Sequence, residues 1–182
     1  MLPSLIGIIA SSGGAAAGGD YESIATATFT GSALSITFSS IPSTYQHLQI
    51  RGLARTPSGN DHIDLRFNGD TGTNYSMHGL SGEGASVTSE GYGIQNRIFN
   101  VNSPVNNADV YCASVIDILD YANTNKNTTV RTLQGWDRNG FGVLAFNSGA
   151  WYNTAAVTSI TLAARTHNPT SISSFALYGI KG

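Results

Sequence analysis

The sequence predicts an all-β fold, an antiparallel two-sheet sandwich that is jelly-roll-like and carries an extended N-terminal arm. Short alternating segments recur about every ten residues, which is typical of such sandwiches. Turn-forming residues separate these segments, and 21 of the 182 residues are glycine. No stretch keeps the apolar spacing of an amphipathic helix. We therefore expect one β domain of ordinary size over residues 24–182.

The first two strands are predicted over residues 25–30 and 33–38. Apolar and polar side chains alternate in both segments, as expected for strands with one buried face. Gly31 and Ser32 separate them, and a glycine-containing pair between two alternating runs predicts a two-residue β-hairpin.

The next two strands, over residues 45–55 and 62–67, follow a turn at Pro42. Successive strand residues point to opposite faces of a sheet, so every second residue can reach the core. Asp64 and Arg66 are expected on the outward face. The side chains expected to point inward are Leu48, Ile50, Ile63, Leu65 and Phe67.

The remaining chain contains one polar stretch and then a series of apolar strands. Residues 68–91 are rich in Gly, Asn, Asp and Ser, which predicts long loops with one short strand at most. Cys112 lies within an apolar run and is expected to be buried as a small hydrophobic residue. Nine to eleven strands are expected in all, the later ones over residues 93–100, 109–121, 128–136, 141–147, 155–163 and 173–180.

Residues 1–23 differ from the rest and are predicted to form an attachment arm. A Gly, Ala and Ser run over residues 11–19 has the composition of a flexible linker. The segment before it is too apolar for a solvated tail, so we expect it to dock on a partner surface. The alternative is a first strand that packs on the domain's own core. The apolar residues of the arm are Leu2, Leu5, Ile6, Ile8 and Ile9.

Charge is scarce in this chain. Charged residues make up 11% of the sequence and the net charge is −2, with no basic cluster. Nucleic-acid binding usually shows as a basic patch, so we expect no nucleic-acid partner. No apolar run approaches the roughly 20 residues that span a bilayer, so no membrane partner is expected either. A surface so poor in charge favours a protein that lies against other proteins.

The sequence contains no recognisable catalytic or metal-binding motif, so we expect no enzyme activity, no cofactor and no metal. The four histidines are far apart in sequence, unlike the ligands of a zinc site. Residues 68–74 offer several oxygen ligands, but turn-forming Asn and Asp explain them without calcium. Asp117 and Asp120 lie three residues apart on one strand and face opposite sides of it.

Four aromatic residues in or beside predicted loops are candidate surface contacts. Aromatic side chains in such places bind sugars or anchor protein interfaces. The alternative is that they pack into the core at the ends of strands. These residues are Tyr75, Tyr92, Trp151 and Tyr152.

Three phrases in the sequence resemble a widespread group of virion proteins of cyanophages and other aquatic tailed phages. The phrases are ITFSSIPSTYQHLQIRG (residues 36–52), LRFNGDTGTNY (residues 65–75) and SFALYGIK (residues 174–181). The resemblance covers nearly the whole β domain. It implies a jelly-roll-like module in a homo-oligomeric particle component, and it transfers no catalytic residue.

The resemblance and the apolar arm together favour a capsid cement, or decoration, protein. Such a protein is expected to be a homotrimer on the capsid surface, with its arm laid along the major capsid protein. The alternative is a tail fibre or baseplate protein, whose arm attaches to tail proteins and whose loops contact a host-surface glycan. Either location is within the virion.

Overall fold

The computed structural model describes residues 19–58, 61–102 and 109–182, and this part of the chain forms twelve β-strands without an α-helix. The bounds of the strands in chain order are β1 (Tyr21–Thr28), β2 (Ser35–Phe38), β3 (His47–Ala54), β4 (His62–Phe67), β5 (Tyr75–Glu83), β6 (Ser86–Gln95), β7 (Ile98–Asn102), β8 (Cys112–Leu119), β9 (Thr128–Arg138), β10 (Phe141–Trp151), β11 (Ile160–Ala164) and β12 (Ser174–Ile180).

The strands form two antiparallel sheets of unequal size. The larger sheet has the order β1-β12-β3-β8-β9-β10-β5-β6, and the smaller has the order β2-β11-β4-β7. If the hairpins β5–β6 and β9–β10 are set aside, four pairs remain: β1 with β12, β2 with β11, β3 with β8, and β4 with β7. Successive pairs alternate between the two sheets, which is the strand order of a jelly roll. The predicted antiparallel, jelly-roll-like sandwich is confirmed.

The core lies between the two sheets and follows the period of two that strands impose. On β9, every second residue from Thr128 to Trp136 is buried, and those between them are mostly exposed. Burying one such apolar side chain stabilises the fold by roughly 1.5–3 kcal/mol. Cys112 is buried with no exposed surface, as predicted. Other fully buried side chains include Leu48, Ile50, Ile63, Leu65, Phe67, Ile116, Phe175 and Leu177.

The smaller sheet covers only part of the larger one. Its edge strand β7 packs Ile98 closely over Gly149 of β10, where an added Cβ would lie 2.8 Å from the Ile98 side chain. Farther along β10, the inward-facing residues Val143, Ala145 and Asn147 line an open cleft. The inserted hairpins β5–β6 and β9–β10 therefore extend the larger sheet beyond the area that the smaller sheet covers.

The predicted hairpin between residues 25–30 and 33–38 is wrong. β1 pairs with β12 in the larger sheet, whereas β2 pairs with β11 in the smaller sheet. A turn does form at Gly31, which has a φ of 82°. However, this turn carries the chain from one sheet to the other. Local turn chemistry cannot distinguish such a corner from a hairpin, because both need the same backbone reversal.

The long loops predicted over residues 68–91 are also wrong. β5 and β6 form a hairpin that occupies most of this stretch and the residues after it, with Glu83 paired to Ser86. Gly84, with a φ of 56°, supports the tight turn between them. β6 is exposed along almost its whole length. A strand without a buried face needs no apolar alternation, so its polar sequence fits a loop equally well.

The boundary of the domain and one outward-facing residue also differ from expectation. β1 begins at Tyr21, so residues 21–23 belong to an edge strand of the larger sheet. Asp64 points away from the core as predicted, yet it is only 2% exposed. Arg165 and Arg97 cover its carboxylate, at 2.8 and 3.5 Å. Residues 1–18 lie outside the described residues.

Candidate functional site

Exposed apolar side chains form a continuous patch on the outer face of the larger sheet, which the smaller sheet does not cover. Phe146 on β10 lies directly opposite Leu133 on β9 and Leu80 on β5. The pairing continues onto the strands at either side, and the larger side chains are between 43% and 72% exposed. We call this patch the apolar face. It comprises Leu53, Leu80, Val87, Ala113, Val115, Leu133, Leu144 and Phe146.

The apolar face is large enough to be the centre of a protein interface. It crosses the six neighbouring strands from β3 to β6, a width of about 24 Å at the usual strand spacing. A shallow groove of about 630 Å³ follows part of it. Contiguous apolar patches of about 300–600 Å² on a single chain often serve function. A standard interface buries about 800 Å² per partner, so the polar surroundings would supply the rim.

Charged groups on the same side of the sheet gather at its other end. Arg131 pairs with Asp117 at 3.2 Å. The Arg51 guanidinium lies 5.4 and 5.3 Å from the ring centres of Tyr21 and Tyr178. One of the two cross-strand rows that make up the apolar face ends at Arg51, which pairs with Val115. From β8 to β6, neither row contains a charged side chain among the described residues. A charge-free centre with paired charges beside it has the composition of a contact surface.

A second feature, a polar cleft of about 450 Å³, opens on the inner side of the larger sheet. Gln134 and Asn147 lie on its floor and are 6% and 8% exposed. His62 and Arg165, at the end of the smaller sheet, form one wall. The β5–β6 hairpin forms the other wall, through Ser81, Glu83, Thr88, Glu90 and Tyr92.

Two carboxylates, those of Glu83 and Glu90, set the electrostatic potential of the polar cleft. Arg165 donates two hydrogen bonds to Asp64, at 2.8 and 2.9 Å, so this carboxylate offsets part of the Arg165 charge. Burial, and then the nearby charge of Arg165, lower the pKa of His62 to about 4, which leaves the imidazole neutral at neutral pH. Glu83 and Glu90 line the hairpin wall. The cleft therefore offers hydrogen-bond acceptors and a negative potential.

Tyr75 and Trp151 were predicted as candidate surface contacts, and this prediction is wrong for both. They are 0% and 1% exposed. The indole nitrogen of Trp151 donates to Asp70 at 2.8 Å, and its ring stacks on that of Tyr75 with centres 6.4 Å apart. The Tyr75 hydroxyl accepts from the amide of Phe67 and donates to the carbonyl of Asp70, both at 3.1 Å. Through these hydrogen bonds, Tyr75 and Trp151 hold the loop of residues 68–74 against the core.

The oxygen atoms of that loop are used within the fold. Besides Trp151, the Asp70 carboxylate accepts from the side chain of Asn74 at 3.0 Å and from the amide of Gly72 at 2.8 Å. These hydrogen bonds lower the pKa of Asp70, that from Trp151 most. The described residues contain no group of three or more His, Cys, Asp or Glu side chains placed to hold a metal ion.

Tyr92 and Tyr152 are exposed, by 36% and 55%, but the fold places them on opposite faces of the larger sheet. Tyr92 lies at the rim of the polar cleft and donates to Glu90 at 2.8 Å. Tyr152 shares a hydrogen bond of 2.9 Å with Ser76, whose side chain points outward. The two tyrosines therefore do not form one site. The five apolar arm residues lie outside the described residues, and their docking stays a prediction.

Sequence reasoning missed the apolar face and the polar cleft. The signal for the apolar face lies in β10, where four successive residues from Val143 to Phe146 are apolar. Such a run places apolar side chains on both faces of a strand, so a strand exposed on one face must show them to solvent. The polar cleft has no recognisable signal in the sequence, because the residues that form its two walls are far apart along the chain.

Comparison with known proteins gave no match. No protein-family model matches the chain, and neither the curated proteins nor the solved structures include one with significant similarity to it. Within the described ranges, no segment forms an apolar helix of membrane-spanning length.

Proposed function

We propose that this chain is a non-enzymatic structural protein of a tailed phage particle, a capsid decoration protein that assembles through its β domain. The observation that carries the proposal is the apolar face. Leaving such a surface in water costs about 25 cal/mol for each Å² of apolar area, so covering it favours assembly. Jelly-roll domains have many different functions, so the fold by itself is weak support for this proposal.

The partner that best fits the apolar face is another copy of the chain. The face is free of charge and the whole sequence is only 11% charged, so two copies can approach without burying unpaired charges. The expected assembly is a homotrimer. In a ring of three, each copy contacts a different surface on the next one. Oligomerisation places three arms on one particle component.

The arm would attach this oligomer to the major capsid protein. The described chain begins at exposed Gly19 and Asp20, beside the edge strand β1. A segment that leaves the domain there can extend away from the core. Several tethered apolar arms bind a shell at high effective concentration after the first one docks, which strengthens attachment without new contacts.

Removing residues 1–19 tests the role of the arm. The truncated protein keeps all twelve strands, so we expect unchanged circular dichroism and oligomeric mass but no binding to undecorated capsids. Capsid occupancy, measured by gel densitometry after sedimentation, is the readout. Full occupancy by the truncated protein would exclude the arm as the attachment segment.

A tail fibre or baseplate protein that contacts a host-surface glycan is the second candidate. The polar cleft, with Tyr92 at its rim, favours this function. Quantitative mass spectrometry of purified virions separates the candidates, because decoration requires hundreds of copies whereas a tail component requires at most a few dozen. A carbohydrate-active enzyme would be a third candidate only if mutation of Asp64 or Asp117 abolished an activity. In the structure, Asp64 pairs with Arg165 and Asp117 with Arg131.

A further inference from the structure

The floor of the polar cleft is a polar surface where the sandwich would otherwise be apolar. On the part of the larger sheet that Ile98 covers, large apolar side chains such as Val130 and Trp151 face inward beside the small polar residues Thr128 and Thr132. Where β9 and β10 extend beyond the part that Ile98 covers, the inward-facing residues are Gln134 and Asn147. Both are more than nine-tenths buried, although neither lies in the apolar core cluster. Buried polar groups usually have hydrogen-bond partners.

Asn147 presents its amide to the cleft. Its side chain makes no hydrogen bond to any side chain or backbone group of the described residues. Gly79 lies directly opposite it on β5, and a Cβ there would come within 2.6 Å of the Asn147 side-chain oxygen. The absence of a side chain at Gly79 therefore leaves room for the Asn147 amide over β5. One donor group and one acceptor therefore face the space between the walls.

The hairpin wall adds acceptors and an aromatic ring beside this amide. Glu90 pairs across the hairpin with Gly79, the residue that Asn147 pairs with on its other side, so it lies in the same cross-strand row as the amide. Tyr92 follows two residues later on the same face and contributes its ring at the rim. Met77 adds an apolar patch to the floor. Amide, carboxylate and apolar surface converge within a space whose volume suits a small molecule.

The charges select the kind of ligand. Two carboxylates face the cleft, while the guanidinium of Arg165 is engaged by Asp64. An anionic ligand would be repelled. One metal ion is also excluded as the ligand of both carboxylates, because Glu83 and Glu90 are four positions apart along the hairpin, about 13 Å at the usual rise. A neutral molecule with several hydroxyl groups can donate to Glu90 and both donate to and accept from Asn147.

We propose that the polar cleft binds a neutral saccharide unit. Asn147 and Glu90 are its hydrogen-bonding residues, and Tyr92 packs against the C–H groups of the sugar ring. The apolar face and the cleft lie on opposite sides of the larger sheet. The site is therefore independent of self-assembly, and either location in the virion is compatible with it.

Saturation-transfer NMR on the full-length protein tests the site. The probes are the methyl glycosides of glucose, galactose, mannose and N-acetylglucosamine at millimolar concentration, with glucuronate as the anionic comparison. We expect transfer to at least one neutral glycoside and none to glucuronate. Asn147→Ala should weaken binding at least about tenfold, the loss expected when a buried hydrogen bond to a ligand is removed.

Two further variants keep the experiment decisive. Glu90→Gln changes an exposed residue, so it folds even if Asn147→Ala does not, and it should weaken binding several-fold. Ser148→Ala, next to Asn147 but on the outer face, is the matched control and should bind like the wild type. Absence of transfer to every neutral glycoside, preference for glucuronate, or unchanged binding in Glu90→Gln would overturn the proposal. The oligomeric mass of the same samples reports separately on assembly.

Discussion

At the scale of single residues, side chains of similar composition have opposite roles because the fold places them differently. Trp151 and Tyr152 are neighbours in sequence, yet the first is buried against Tyr75 and the second is half exposed. Adjacent strand positions face opposite sides of a sheet, but the sequence alone did not show which of the two faced the core. The hydrogen bond from Trp151 to Asp70 settles its structural role.

This difference leads to a prediction for the two aromatic residues. Trp151→Phe removes the hydrogen bond to Asp70 and part of the packed ring, so we expect it to lower the free energy of unfolding by about 2 kcal/mol. Tyr152→Phe removes only an exposed hydroxyl and should change it by less than about 0.5 kcal/mol. Urea denaturation followed by tryptophan or tyrosine fluorescence measures both values. Equal effects would contradict the assignment of Trp151 to the core.

His62 gives the fold a dependence on pH. Its pKa is about 4 in the folded protein, because burial and Arg165 disfavour the charged imidazole, whereas an unfolded chain has a histidine pKa of about 6.5. Below pH 6.5 the unfolded state therefore binds a proton that the native state does not. Stability falls as the pH drops from about 6.5 to about 4 and this contribution levels off below that.

The pH effect is measured by comparison with a variant. His62→Gln cannot be protonated, so we expect the wild type to lose about 2 kcal/mol more than this variant between pH 7 and pH 5. All other ionisable residues are the same in the two proteins, so the difference between the profiles reports on His62. His78→Gln, at an exposed strand position, is the control and should behave like the wild type. Parallel pH profiles for His62→Gln and the wild type would refute the assignment.

At the scale of strands and hairpins, sequence reasoning succeeded where one face of a strand is buried. The alternation over residues 62–67 matches β4, and the apolar run after Val110 matches β8. Sequence reasoning failed at the β5–β6 hairpin, where β6 has no buried face. It also failed at Gly31, where the chain passes from one sheet to the other. Pairing partners are set by contacts between distant segments, and one strand's pattern carries no information about them.

The position of β6 leads to a prediction about local stability. β6 is an edge strand and almost every residue is exposed, whereas β3 lies within the larger sheet and contains fully buried residues. Amide hydrogens of β3 should exchange only through global unfolding, and those of β6 through local opening at much lower free energy. Hydrogen exchange followed by mass spectrometry of peptic peptides compares them. Protection of β6 equal to that of β3 would show that another surface covers the hairpin.

At the scale of the whole molecule, both candidate surfaces arise from the unequal sizes of the two sheets. The eight-strand sheet extends past the four-strand sheet through the inserted hairpins. The uncovered inner part forms the polar cleft, and the outer side carries the apolar face. The low charge content of the sequence indicated a protein that contacts other proteins, but only the register of six strands assembles Leu53, Leu133 and Val87 into one patch.

The proposed decoration protein assembles by self-association through the apolar face. Leu133 lies at its centre and is 51% exposed, so Leu133→Lys places a charge there without disturbing the core. Thr129→Lys adds the same charge to the same face of β9, but at the polar end of the sheet. It therefore serves as the matched control.

Light scattering coupled to size-exclusion chromatography measures the mass of all three proteins at micromolar concentration. We predict three times the 19.1 kDa of one chain for the wild type and Thr129→Lys, and a single folded chain for Leu133→Lys. A wild-type mass of two chains would keep the apolar face as the contact but exclude the trimer. A wild type that is a single chain, or an oligomer that survives Leu133→Lys, would contradict self-association through the apolar face.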